Sequence, residues 1–302
     1  MTIEAGLILS RFLHYSCVLA IFGISLFPFY TQTDSPFLSH EFRRWRQKAL
    51  LISTGVGIVS AIAWFVFTAA VMADGFLAAL DMSTFESVIE DTSFGKVWVL
   101  RVLLLLCLFA LLAFSRRPRK QQTRLHLALA SVIAGSLAAV GHTRTHEGPL
   151  KAIHALSDSL HLLAAGAWLG GLLALGFIVY ASLHRQGGRR PDRQSATLTQ
   201  HQASPRKRGK SILLARPLPG LTDGLYGQLL LFKIILFGAM LVLAAQNRFL
   251  LTPILSENQE LSKISTIVRR LRRNIIAEQT LGALIVGAVS VLGTISPGPA
   301  LP

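Results

Sequence analysis

Sulfur is scarce in this sequence: its 302 residues hold two cysteines and four methionines. Cys17 and Cys107 lie in separate apolar stretches with no paired spacing, which excludes a disulfide framework, a zinc knuckle and a thiolate shuttle. Met1, Met72, Met82 and Met240 are too scattered to form a thioether ladder for a soft cation, so any metal held here rests mainly on nitrogen and oxygen. Glycine-rich phosphate loops are missing, and no Ser-His-Asp grouping offers a nucleophile, so no enzyme is expected. Acids are few as well, 15 against 30 Lys and Arg, for a net charge of +15. In a soluble domain that excess would point to nucleic acid. Here the cations fall in short segments between apolar blocks, where they orient a membrane chain, and no nucleic-acid partner is expected.

The residues are 52% hydrophobic with a mean hydropathy of +0.52, and the apolar ones come in long runs. Seven spans are visible near 8–30, 49–73, 97–115, 125–141, 156–183, 225–245 and 275–295, each long enough to cross a bilayer as a helix. The fold class is therefore all-α, a polytopic transmembrane helix bundle whose first partner is membrane lipid. The first run stays as a helix, because Glu4 precedes it, no basic region does, and Pro28-Phe29 is not a small-residue cleavage site. The chain divides into a five-helix part at 1–183, a basic polar tract at 184–217 expected to be disordered, and a two-helix part at 218–302.

The basic loops set the orientation. Arg43, Arg44, Arg46 and Lys48 mark 31–48 as cytoplasmic, and Arg116, Arg117, Arg119, Lys120 and Arg124 do the same for 116–124. The N-terminus then faces the periplasm, together with the acidic segment 74–95, which carries Asp74, Asp81, Glu86, Glu90 and Asp91. The tract 184–217 and the loop 246–274 are both rich in Arg and Lys, so both belong on the cytoplasmic side, yet one visible span separates them. Either a crossing is missing between about 184 and 224, or one loop departs from the positive-inside bias.

Histidines gather between Gly141 and Gly171. His142 and His146 precede a run in which His154, Asp158, His161, Ala165 and Trp168 fall three or four residues apart, and so share one helical face if a helix starts near Lys151. At about 1.5 Å per residue His161 lies roughly 15 Å below Lys151, where an imidazole needs a partner or a task. The His142/His146 pair is either a metal-capture pair for an ion such as Cu(II) or two hydrated loop histidines. His154, Asp158 and His161 are either a ligand ladder or a polar triad tying two helices together. His14, on the first span, is either a cross-helix partner for His161 or an imidazole bonded to a backbone carbonyl. Arg101, Lys233 and Glu278 are charges inside apolar runs, and Glu278 is expected to pair with Lys233 or Arg101. Gly166, Gly170 and Gly171, with Ala167 and Ala174, give small-xxx-small spacings for a closely approaching helix, and Trp168 reads first as packing.

DSLHLLAAGAWLGGL at 158–172, LPGLTDGLYGQLLLFKIILFGAMLVLAAQNRFLLTP at 218–253, RRLRRNIIAEQTLGALIVGAVSVLGTISP at 269–297 and, more weakly, RFLHY at 11–15 together resemble the copper resistance protein D family of bacterial inner-membrane proteins. The resemblance implies eight helices, a copper ion, Cu(II) or Cu(I), taken across or handled in the inner membrane, and a periplasmic CopC-type copper-binding partner. It also favours the metal reading of His142. The family places a sixth helix where this chain has its basic tract, which implies a reading frame disturbed over roughly 185–217. Two other readings stay open: a membrane electron carrier with His14 and His161 as axial ligands of a b-type haem, and a nontransporting copper sensor or scaffold.

Overall fold

The computed structural model describes residues 2–31, 36–114, 120–140, 149–188, 225–251 and 261–295. Eight α-helices lie in these residues: α1 Ile3–Leu26, α2 Pro36–Met72, α3 Met82–Asp91, α4 Ser93–Phe114, α5 Lys120–Gly135, α6 Pro149–Gly188, α7 Leu225–Gln246 and α8 Leu261–Leu292. Local chemistry sets several ends. The Thr2 hydroxyl accepts from the Ala5 amide at 3.3 Å to start α1, and Pro28 sits in the 3-10 turn that follows it. The Thr92 hydroxyl accepts from the Gly95 amide at 2.9 Å to start α4.

Six helices among the described residues are long and apolar enough to cross a membrane. The seventh expected span, 125–141, is the shorter α5 of 16 residues followed by a 3-10 turn at Ala138–Val140. The break has a cause: the Ser136 carbonyl takes the Arg101 guanidinium at 2.7 Å and the Ala139 amide at 3.3 Å, so the helical ladder tightens there. From Lys120 to Val140 the rise is still roughly 30 Å, enough to reach across a bilayer. The expected disorder of 184–217 lies almost wholly outside the described residues, although α6 runs on to Gly188 rather than ending at 183.

Side-chain contacts fix the direction of each helix. Phe27 of the α1 exit meets Phe42 near the α2 start, and Gln47 of α2 donates to the Leu112 carbonyl at the end of α4. Tyr180 late in α6 lies under Arg272 early in α8, 6.0 Å from ring centroid to guanidinium. One end of the bundle therefore holds Arg44, Lys48 and Arg272, while Glu4, Asp81, Glu86 and Asp91 belong to the other. α6 and α7 run the same way, since His161 and Lys233 line one cavity together and Trp168 and Phe237 meet further along both helices. α6 thus leaves at the basic end and α7 enters at the opposite end.

The core is a layer of α1, α2, α4 and α5, with Val18, Ile21, Ile24, Leu50, Leu105, Leu108 and Ile133 all at most 1% exposed. α6 joins through glycine. Gly23 of α1 faces Gly166 and Gly170 of α6 so closely that a Cβ on Gly170 would sit 2.7 Å from the Gly23 Cα and from the Leu19 carbonyl oxygen. The small-residue spacing thus serves the α1–α6 contact. Gly170→Leu is expected to lower the melting temperature of the detergent-solubilised protein by an amount equivalent to about 1–3 kcal/mol or more. Gly238→Leu, with nothing within 4 Å of its Cβ, is expected to leave it unchanged. Equal melting curves for the two variants would contradict the seam.

Candidate functional site

With α1 locked to one face of α6, another face of α6 turns toward α7 and α8. Two adjoining cavities open there, of about 300 and 240 Å³. His161, Ala165, Leu169, Lys233 and Ile285 line both; Asp158 and Tyr15 line the smaller, and Trp168, Phe237 and Met240 the larger. The three-and-four spacing read from the sequence is realised: Asp158, His161, Ala165 and Trp168 descend one wall of the cleft. His154 lies one turn above Asp158 on the same helix and is exposed. His142 and His146 lie outside the described residues. Among the described residues no group of three or more His, Cys, Asp or Glu converges as a metal cluster, so the cleft offers one imidazole and one carboxylate beside an ammonium.

His14 goes elsewhere. Its side chain is fully buried against α2, with Nδ1 3.1 Å from the Gly57 carbonyl and 3.4 Å from the Ser60 hydroxyl. A carbonyl only accepts, so Nδ1 carries the hydrogen and donates to it. The ring packs 5.5 Å from Trp64, and Nε2 has no hydrogen-bond partner among the described residues. Of the two readings of His14, the structure shows the imidazole bonded to a backbone carbonyl rather than the partner of His161: the ring is turned to α2 while its neighbour Tyr15 lines the cleft. The haem reading loses its facing ligands by the same geometry.

The expected ion pairs are also corrected. Glu278 is 1% exposed and is held by neutral donors: Trp168 Nε1 at 3.2 Å and Asn247 Nδ2 at 2.6 Å. Asn274 donates in turn to the Asn247 side-chain carbonyl at 2.8 Å, and Gln279 donates to the Leu169 carbonyl at 2.7 Å. This network joins α6, the π-helical turn Asn247–Leu251 and α8 beneath the cleft. Arg101 donates from Nε and Nη2 to Ser136 at 2.9 and 2.7 Å and lies 5.6 Å from the Trp64 ring. Lys233 lines the cleft instead of meeting Glu278. Sequence reasoning missed Asn247, Asn274, Ser136 and Tyr15. The one signal available was Asn274 and Glu278 placed four apart within an apolar helix.

A helical membrane protein whose largely apolar cleft carries the ionisable side chains of Asp158, His161 and Lys233, beside a carboxylate-anchored helix pair, is the class that this geometry defines. The family profile described as copper resistance protein D-like, N-terminal domain, matches residues 1–152, and that described as copper resistance protein D matches 209–292. The chain belongs to the copper resistance protein D family. Copper resistance protein D of Pseudomonas syringae pv. tomato is 27% identical over 309 residues, covering 95% of each chain. Inner membrane protein YebZ of Escherichia coli (strain K12) is 27% identical over 297 residues, covering 95% of this chain and 97% of its own. No solved structure matches. Asp158 and His161 of α6 fall between the two profile matches, within a chain that the two relatives cover to 95%.

Glu278 gives this site its stability test. Glu278→Gln replaces one acceptor by an amide that points donors at the Trp168 or Asn247 donors, at an expected cost of about 1–3 kcal/mol. Melting followed by tryptophan fluorescence should show the loss, and Trp168→Phe combined with Glu278→Gln should cost less than the sum of the single changes. Strict additivity would refute the network.

Proposed function

We propose that this chain moves copper ions across the bacterial inner membrane, with its N-terminus and the His142–His161 segment on the periplasmic side. The observation that carries this reading is that Asp158 and His161, three residues apart on the membrane-crossing helix α6, line one cleft in a chain of the copper resistance protein D family. Imidazole and carboxylate suit a divalent first-row ion, and Cu(II) stands highest in the usual affinity order. Copper meets His142 and His146 first, passes His154, and enters the cleft at Asp158 and His161. A CopC-type periplasmic protein is the fitting donor or acceptor, as the resemblance implies. The chain performs no covalent chemistry and carries no nucleotide motif, so an ion gradient or the partner supplies the driving force.

Lys233 bears on this path directly. An ammonium lining the same cavities as His161 opposes the entry of a dication, so bound copper and a charged Lys233 cannot share the cleft closely. The ion therefore stays only briefly, as conduction requires.

Copper binding by the purified protein and uptake into proteoliposomes test the reading. His161→Ala is expected to weaken binding at least about tenfold and to abolish uptake, whereas Lys233→Met is expected to tighten binding by about tenfold, or roughly 1.4 kcal/mol. Unchanged binding by His161→Ala would reject the cleft as the copper site. Binding without uptake by the native chain would favour the sensor or scaffold reading.

The tract after α6 belongs to the same proposal. The disturbed frame is proposed over roughly 185–217, and the start of the C-terminal profile match at residue 209 supports placing most of it before that position. The coding DNA is expected to contain, in an alternative frame over that region, most of an apolar stretch of about 20 residues. Its absence there would reject a frame disturbance.

A further inference from the structure

α2 and α6 meet at the basic end of the bundle with two matching stripes. Glu41, Arg44, Trp45 and Lys48 on α2 face Phe177, Tyr180, Ala181 and His184 on α6, each set spaced at zero, three, four and seven residues. Between them lies a groove of about 650 Å³. Its floor is aromatic: Trp45 and Phe177 stack at 4.8 Å with their planes 13° apart, and Tyr180 meets the His184 ring edge-on at 4.4 Å. Its rim is cationic, with Arg44 and Lys48 exposed one turn apart, and Arg272 of α8 lies 6.0 Å from the ring of Tyr180.

These residues stand at the ends of the membrane-crossing segments His40–Met72 and Ile153–His184. That is the level of the lipid headgroups, where aromatic rings and basic side chains collect. A ligand here meets fixed positive charge outside and an aromatic wall inside, with hydrocarbon beyond. An anionic phospholipid has that same order of parts, whereas a free phosphate has nothing to lay on Trp45 and Phe177. Basic pockets between transmembrane helices are suited to anionic headgroups. Glu41, one turn before Trp45, is the one acid among the described residues lining the groove and leaves the cations in excess.

We infer that the groove between the basic ends of α2 and α6 is a binding site for an anionic phospholipid, with its phosphate at Arg44 and Lys48 and its chain against Trp45 and Phe177. The lipid bridges the first four-helix layer to α6, and occupancy stiffens that junction. This site is separate from the copper cleft and stands or falls independently of it.

The full-length protein in mixed micelles provides the test. Phosphatidylglycerol is expected to raise the melting temperature by several degrees over phosphatidylcholine at equal mole fraction, and native mass spectrometry should retain the anionic lipid on the protein. Arg44→Gln and Lys48→Gln should each remove most of that preference, while Arg43→Gln, an exposed neighbour outside the groove, should keep it. Inorganic phosphate without lipid should give no shift. The inference is overturned by a native protein that shows no lipid preference, by Arg44→Gln and Lys48→Gln proteins that keep it, by equal loss in Arg43→Gln, or by free phosphate reproducing the shift.

Discussion

The contact of Gly23 with Gly166 and Gly170 is what the rest of the bundle depends on. Lipid tails are as apolar as leucine, so helices in a membrane gain little by hiding hydrophobic surface from one another and are held by close packing and hydrogen bonds. Where two backbones approach this closely, neither helix can rotate about its axis without a clash. α6 is thereby held with Gly166 and Gly170 against α1 and with Asp158, His161 and Trp168 turned to α7 and α8. A looser contact would leave the cleft without a defined wall. The Trp168–Glu278 and Gln279–Leu169 bonds complete the arrangement by tying α8 to the same helix at 3.2 and 2.7 Å.

Buried charge is handled here by neutral partners. Pairing Glu278 with Lys233 looks natural from sequence, since each is expensive alone in an apolar span. A carboxylate with two well-placed N–H donors is already satisfied, however, and an indole and an amide supply them without bringing in a second ion to desolvate. Arg101 follows the same logic through the Ser136 hydroxyl and carbonyl and the face of Trp64. The consequence for function is that Lys233 is released from a structural duty and placed beside His161.

The apolar spans, the small-residue spacing on α6 and its polar face were legible because each rests on periodicity along a single segment. Long apolar runs define the spans, and three-and-four spacings define the faces. The partner of each polar residue was not legible, because partnership depends on which helices are neighbours and how each is rotated. His14 illustrates the limit. Its depth on α1 was readable, but one position of difference from Tyr15 turns it about 100° around the helix, toward Gly57 and away from the cleft. The network of Asn247 and Asn274 was hidden for the same reason, since 27 residues separate its two amides along the chain. The Ser136 break in α5 needed a guanidinium from α4 and left no mark in its own segment.

The course of the chain between α6 and α7 carries the last step. Two successive helices that run in the same direction across a membrane need a connection that returns through it. The direction of α7 is fixed by Lys233 beside His161 at one level and by Asn247 bonded to Glu278 at a lower one. Charge counting demands the same return crossing, because both 184–217 and 246–274 are basic. These two arguments share no data: one uses side-chain contacts of α6, α7 and α8, the other only the loops between spans. α7 is also the least covered of the crossing helices, with 11% of its most apolar window buried, and Leu231, Ile234, Ile235 and Val242 stand open. A membrane leaves such a surface to lipid or to another helix. The tract 184–217, with nine Arg and Lys between 185 and 216, offers no apolar run long enough for such a crossing, and its composition is at odds with the parity that the flanking helices set.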